Sequence, residues 1–503
     1  VSRRPIALVQ SGDAFENRTR VLPLALACQA AGFEPVALID DPGAASLFLL
    51  HDVQSLAVAD LPRVGPFYDP GFDVDATDLC RLEALRRERQ GWAFDDKALA
   101  GVVRSSRRIW QGLDRLGPAA VFAWNGYTGV WANALRTYKA ARGLPGGFME
   151  RAPGADGVFV DPCGVNGDAS IADGSLRAVA SLGDDDAQPR ERENVLFVPL
   201  QVHDDSNLLL HAPGITRMRD LVAFALEIAS RLGGDWRVVA RPHPEEAPDA
   251  RLNLPRDARL SVDGETRLGD WLDRAKVCLT VNSAVGLEAA TRGATTVCCG
   301  EGIYCRQSFV VDGRSGDVST VAAALQARFA AGDQRAAARG FAERLTADHV
   351  FRTDEDPRDG AARLARLGLA SHPLARALGG RPPRLIRRTA RYGEASARLA
   401  AMRQDGAPLT IDFDFDLSDR LFLTYRLNRS PFSRAHLAER AGLLFGRAVE
   451  LSPVHRAVAA TGRVLMTAAK RRPKDAHGYA LVLDEFGLPH ARHHASRRSW
   501  PFG

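Results

Sequence analysis

KVCLTVNSAVGLEAATRGATTVCC, residues 276–299, reads as a strand, a helix and a second strand with almost nothing between them. Apolar and β-branched residues run to Val281, Asn282-Ser283 makes the turn, and Ala284–Arg292 has helical spacing until Gly293 stops it. TTVCC then returns as a strand. Two strands joined through a helix predict a parallel pair with a right-handed crossover. The same rhythm extends to both sides. PIALVQ, EPVALID, VFAWN and GGFME read as strands in the first part of the chain, with helical patterns near 17–31 and 130–141. VLFVPLQ and WRVVARP precede the opening stretch, separated by an amphipathic helix over 216–232 that Gly233-Gly234 closes. The polar run DDDAQPRERE at 184–193 divides the two series.

The chain of 503 residues therefore resolves into an α/β domain at 1–190, a second at 191–355, and a region at 356–503 where Arg and Ala dominate and helical segments prevail. Charge is divided just as unevenly. Residues 371–503 hold 23 Lys+Arg against 11 Asp+Glu, or +12, which leaves −7 on the first 370 for the overall +5. A basic tail on an acidic body points to an anionic partner for the tail. The helix-like, basic stretch at 443–472 fits an anionic membrane surface or the body of the protein itself. No recognisable nucleic-acid module accompanies the charge.

Seven scattered cysteines, with no CxxC pair, exclude a secreted disulfide framework and a zinc site of that kind. No apolar run reaches the length of a membrane span, and the N-terminal stretch is too short for a signal peptide. The expectation is a reduced, cytoplasmic protein. Asp412, Asp414 and Asp416 in IDFDFDLSD alternate with Ile411, Phe413 and Phe415, the pattern of a strand with one solvated acidic face rather than of a metal site.

Open α/β sheets bind ligands beyond the carboxyl ends of their strands. The polar residues that follow strands here are Asn125, Glu150, Gln201 to Asp205, His243-Pro244, Asn282-Ser283 and Gly300-Glu301. In RPHPEE, Arg241 offers a cation and the flanking prolines hold His243 rigidly, suited to phosphate binding or proton transfer. In NSAVGLEAA, Ser283 stands at the helix N-cap, Gly286 admits close approach, and the free amides suit a phosphate. Glu288, one turn on, is placed for ribose hydroxyls. Asp204 and Asp205 on one loop, opposed by Glu150 from the other half, are a carboxylate pair of the kind glycosyl transfer requires.

Taken together, WNG at 124–126, ME at 149–150, PLQVHDDSN at 199–207, RPHPEE at 241–246 and the segment 282–304 resemble the capsule polysaccharide biosynthesis and export family over about residues 1–355. Those proteins are β-Kdo transferases of GT-B-like fold that use CMP-Kdo. The resemblance implies two Rossmann-like domains facing a cleft, the first on the acceptor side and the second binding the nucleotide sugar, with the C-terminal region as an appendage. It implies that His243, Pro244 and Ser283 hold the CMP phosphate, that Glu288 holds the ribose, that Asp205 or Asp204 is the nucleophile, and that Glu150 is the partner acid/base. Gln201, Arg241, Asn282 and Gly286 would complete the donor site, and Asn125 the cleft. One departure stands out: Glu150 is followed by Arg151-Ala152-Pro153, where the family often carries an acidic or amide residue and then Gly.

The function expected is transfer of a sugar, Kdo from CMP-Kdo, to a lipid-linked or glycan acceptor in bacterial surface polysaccharide synthesis, at the inner face of the cytoplasmic membrane. No metal or other cofactor is expected, since helix amides and a cationic group can stabilise the departing phosphate. A GT-B transferase of UDP- or GDP-sugars, or a catalytically silent assembly or export component, are the alternatives.

Overall fold

The computed structural model describes residues 4–369 apart from 13–15, 40–46, 49–50, 62–67, 92–95, 154–156, 177–190, 204, 213, 244–252 and 333, together with four short strands between 409 and 493. Two sheets organise the described chain. The first contains β1 (Ile6–Gln10), β2 (Glu34–Ile39), β3 (Gln54–Ala57), β4 (Ala120–Trp124), β5 (Phe148–Arg151) and β6 (Val158–Asp161). The second contains β7 (Glu193–Pro199), β8 (Arg237–Arg241), β9 (Leu260–Val262), β10 (Ala275–Thr280), β11 (Thr295–Cys298) and β12 (Val310–Asp312). A final short strand, β13 (Val350–Phe351), returns to the first sheet. The orders are β13-β6-β5-β4-β1-β2-β3 and β12-β11-β10-β7-β8-β9. The second sheet is parallel throughout, and in the first only the pairs β5–β6 and β6–β13 are antiparallel.

Helices cover both faces of each sheet, which is why the strands are buried almost end to end. In the first sheet Ala7, Val9, Ala37 and Phe122 pack against the helix Leu22–Ala30, while Leu8, Leu38, Val121 and Ala123 pack against Ile109, Trp110 and Leu113 of the helix Asp96–Leu116. In the second, Leu196, Val238 and Val277 meet the helices Met218–Leu232 and Val318–Ala331, and Phe197, Val239 and Cys278 meet Trp271 and Leu272. The fold is thus α/β with two Rossmann-like domains, and the seven cysteines are free of disulfides.

The division of the chain differs from the sequence reading at one end. β13 pairs with β6, and the helix Pro357–Arg366 packs on the helix Leu22–Ala30, so the chain re-enters the first domain at about residue 350. Pattern alone could not show this, because the partner strand lies almost 200 residues upstream. Gly360 permits the contact: a Cβ there would fall 2.7 Å from Cβ of Ala27. The acidic strand face at 412–416 and most of the basic tail lie outside the described residues. Within that tail, Val449–Leu451 forms a strand parallel to Leu409–Ile411, where helical spacing was read; the pairing partner, not the local pattern, decides it.

Leu364 is 1% exposed and belongs to the first domain's core. Leu364→Ala should therefore destabilise that domain by about 2–5 kcal/mol, read by urea denaturation of the full chain. A helix belonging to an independent appendage would leave the first domain's transition unmoved.

Candidate active site

Each sheet has one place where the strand order reverses, and both lie at strand ends rich in polar side chains. In the first sheet it falls between β1 and β4, bridged by Oε1 of Gln10, which accepts from the backbone N–H of Trp124 at 3.0 Å. In the second it falls between β7 and β10, whose continuations carry Gln201 and Asn282. Such reversals open a crevice at the carboxyl edge of the sheet.

Glu150 stands near the end of β5, beside the first crevice, half-buried, with Oε1 accepting from the N–H of Arg151 at 2.9 Å. Burial raises its carboxyl from the ordinary value of 4.5 to about 7. The Arg151 amide and guanidinium oppose that rise, and the carboxylates of Asp205 and Glu16 reinforce it. Asp205 belongs to the second domain, so its charge reaches Glu150 from across the two sheets. Glu16 is itself held between Arg151 at 3.3 Å and Arg20 at 3.6 Å.

Asp205 caps the helix Ser206–His211, its Oδ1 accepting from the N–H of Asn207 at 2.9 Å. Its Oδ2 accepts from Nε2 of Gln201 at 3.0 Å. The same nitrogen lies 3.5 Å from Oδ1 of Asn282, whose own Nδ2 donates to the carbonyl of Glu301 at 2.7 Å. Three of the predicted residues, Gln201, Asp205 and Asn282, are therefore joined in one polar chain beyond the carboxyl edge of the second sheet. Asp204 and Pro244 lie outside the described residues. His243 is half-buried just past β8, and the bond from Leu200 N–H to the Arg241 carbonyl (2.8 Å) carries the two chain segments out of the sheet side by side.

The remaining predicted residues are occupied in ways their spacing did not show. Ser283 is the N-cap expected, its Oγ accepting from Val285 N–H at 3.3 Å. Gly286 is close-packed, but against the protein: a Cβ there would lie 2.2 Å from the Tyr304 hydroxyl, which donates to the Ser283 carbonyl at 2.5 Å. Glu288 pairs with Arg292 at 3.1 Å, one turn along its own helix. The Arg241 guanidinium donates to the carbonyl of Thr266, so it faces the loop after β9. The Asn125 side chain organises its own turn, with Oδ1 accepting from the N–H groups of Tyr127 (2.9 Å) and Thr128 (3.0 Å) at φ of +29°. Glu301 accepts from Arg314 at 2.6 Å and Arg306 at 3.2 Å.

Other polar residues near these strand ends and the helix Ser206–His211 escaped the sequence reading. Gln10 ends the first strand, and the rule that selected the others would have found it. His211 is buried at the end of the helix that Asp205 caps; burial holds it below its ordinary range, hence neutral at pH 7, against the pull of Asp168. Arg81 lies 6.0 Å from the ring centroid of Tyr127. Neither Asp168 nor Arg81 follows a parallel strand of either sheet, so no local signal marked them. Among the described residues no group of three or more His, Cys, Asp or Glu is placed to hold a metal ion.

No family model matches the chain. It is similar to Protein FixF of Sinorhizobium fredii (strain NBRC 101917 / NGR234), at 26% identity over 133 residues, which is 26% of this chain and 32% of that protein. The chain thus matches about a third of that relative's length. Among solved structures, it is similar to the β-Kdo 2,4 transferase KpsC of Thermosulfurimonas dismutans at 18% identity and a TM-score of 0.30, over 41% of this chain and 79% of that one. The glycosyltransferase SnogD of Streptomyces nogalater gives 15% and 0.28, over 74% and 100%. The spinosyn rhamnosyltransferase SpnG with thymidine diphosphate gives 15% and 0.32, over 72% and 99%.

A carboxyl raised by folding is favoured in its protonated form, so it costs stability as pH climbs from about 4.5 to about 7 and above. Glu150→Gln removes that cost. The variant should gain on the wild type across this window, reaching an advantage on the order of 1–3 kcal/mol above pH 7. Denaturation midpoints at pH 5 and pH 8 check it; equal differences at both would show that Glu150 keeps an ordinary carboxyl.

Proposed function

We propose that the chain is a glycosyltransferase that moves Kdo from CMP-Kdo to a lipid-linked or glycan acceptor. The observation that supports this most directly is the placement of Glu150 and Asp205. Glu150 lies on β5, one strand from the reversal of the first sheet, Asp205 follows β7 at the reversal of the second, and burial raises the Glu150 carboxyl to about 7. Two carboxyl groups flanking the reacting carbon are the equipment of retaining sugar transfer.

In this reading Asp205 attacks the anomeric carbon as the bond from that carbon to the CMP phosphate breaks, and CMP leaves with the bonding pair. His243 and the positive N-terminal end of the helix Ala284–Thr291, capped by Ser283, stabilise the charge on the departing phosphate. An acceptor hydroxyl then displaces Asp205, giving its proton to the Glu150 carboxylate. A carboxyl titrating at about 7 is charged in about half the molecules at pH 7, so it takes up and returns a proton readily. The Gln201–Asp205 bond holds the nucleophile in place, and Asn282 supports Gln201 from behind. Asp204, on the same loop, is the alternative nucleophile.

Incubation with CMP-Kdo and glycan acceptors, with the product linkage read by NMR, is the direct test. Asp205→Asn should lower transfer on the order of 10³-fold or more, and Glu150→Gln should abolish the acidic limb of the rate–pH profile near 7. Undiminished transfer by both Asp205→Asn and Asp204→Asn would remove the covalent route. Thermal protection by UDP and none by CMP would replace Kdo with a UDP-sugar donor.

No helix among the described residues is long and apolar enough to cross a membrane. The +12 carried by 371–503 supports attachment to an anionic membrane surface, where the lipid-linked acceptor would reside. Full-length protein should co-sediment with vesicles containing anionic lipid in a salt-sensitive way, while a chain ending at residue 370 should stay in the supernatant. Equal binding by both would discard the tail as the anchor.

A further inference from the structure

The amide of Gln201 has a donor end that is used and an acceptor end that is not. Nε2 is committed to Oδ2 of Asp205, and its longer contact is to Oδ1 of Asn282. The orientation is not free to reverse. Asn282 must present its oxygen to Gln201, because its nitrogen donates to the Glu301 carbonyl, and a reversed Gln201 would set its own oxygen against the Asp205 carboxylate. Oε1 of Gln201 is then left buried with no hydrogen-bond partner, on a residue only 6% exposed. An unmet buried acceptor costs about 1–3 kcal/mol, and this one stands at the reversal point of the second sheet, beside the carboxylate placed to react.

We infer that Oε1 of Gln201 accepts a hydrogen bond from a hydroxyl of the transferred sugar, so that Gln201 both positions Asp205 and reads the sugar. This rests on the sugar-transfer reading of the site and deepens it. The chemistry narrows the occupant. An amide oxygen only accepts, so a carboxylate or phosphate oxygen of the donor cannot fill this position and must turn toward the amides of the helix Ala284–Thr291 and His243. The two ends of one amide lie about 2.2 Å apart, so what bonds to Oε1 sits next to the atom Asp205 attacks. On a nucleotide sugar that neighbourhood belongs to the sugar rather than to the base.

Calorimetric titration of the full-length chain with CMP, with CMP-Kdo, and with CMP-Kdo analogues each lacking one sugar hydroxyl separates the possibilities. Gln201→Met should bind CMP as the wild type does and CMP-Kdo about tenfold more weakly, the equivalent of about 1.4 kcal/mol. One deoxy analogue should lose about tenfold against the wild type and nothing further against Gln201→Met. Should Gln201→Met fail to fold, the deoxy series on the wild type still decides: one analogue should lose about tenfold and the others little, and an even loss across the series overturns the inference. If every analogue loses the same factor against wild type and Gln201→Met, Oε1 is satisfied by water and the inference is overturned. If the wild type binds no nucleotide sugar at all, the sugar-transfer reading itself falls, and this inference with it.

Discussion

Two acidic side chains from opposite halves of the chain are held within each other's field, and Glu150 is shielded from water as well. Glu150 shows the consequence directly, since desolvation and the Asp205 carboxylate together lift its carboxyl toward neutrality. A fold with no use for the pair would relax it by a small turn of either domain. Here the turn is opposed. Gln201 and the Asn207 amide bind Asp205 from its own domain, Arg151 partly compensates Glu150 and Glu16 from the other, and the sheet edges fix where each can stand.

Parallel sheets explain why so much of the plan was legible in the sequence. A strand buried on both faces is a short apolar run, and the polar residues after it gather at one edge of the sheet, so one rule applied to strand ends picked out Gln201, Asp205 and Asn282, which one polar chain joins. The same rule, not applied to PIALVQ, would have given Gln10 as well. What the sequence could not carry was direction. Arg241 and Glu288 are at the positions expected, yet their side chains are spent on Thr266 and Arg292. Spacing places a Cα; it does not say which neighbour a long charged side chain will choose. Gly286 makes the same point from the other side. The need for a residue without a Cβ was readable, but the group that requires it is the Tyr304 hydroxyl rather than a ligand.

The return of the chain at residue 350 was illegible for a different reason. β13 is two residues long, and its pairing with β6 has no counterpart in local periodicity. Its effect is nonetheless large, because β13 and the helix Pro357–Arg366 tie the end of the second domain into the core of the first. The two domains are therefore linked twice, once through the segment before β7 and once through β13, and any opening of the cleft must bend both links.

That double tether gives meaning to the contacts around the helix Ser206–His211. By sequence it belongs to the second domain, but the first domain grips it. Nη1 of Arg89 donates to the Leu209 carbonyl at 2.9 Å, Nε2 of Gln90 donates to the His203 carbonyl at 2.7 Å, and Asn166 bonds Asn207. The loop bearing Asn166 is itself held by Asp161, fully buried, which accepts from the N–H groups of Cys163 and Ser170 at 2.9 Å. Asp205 is the N-cap of the gripped helix, so its position answers to both domains at once. A cleft that opened as a simple hinge would either break these bonds or carry Asp205 away from Gln201. The position of Asp205 is consequently set by the grip of the first domain on one short helix as much as by the sheet from which its own loop emerges.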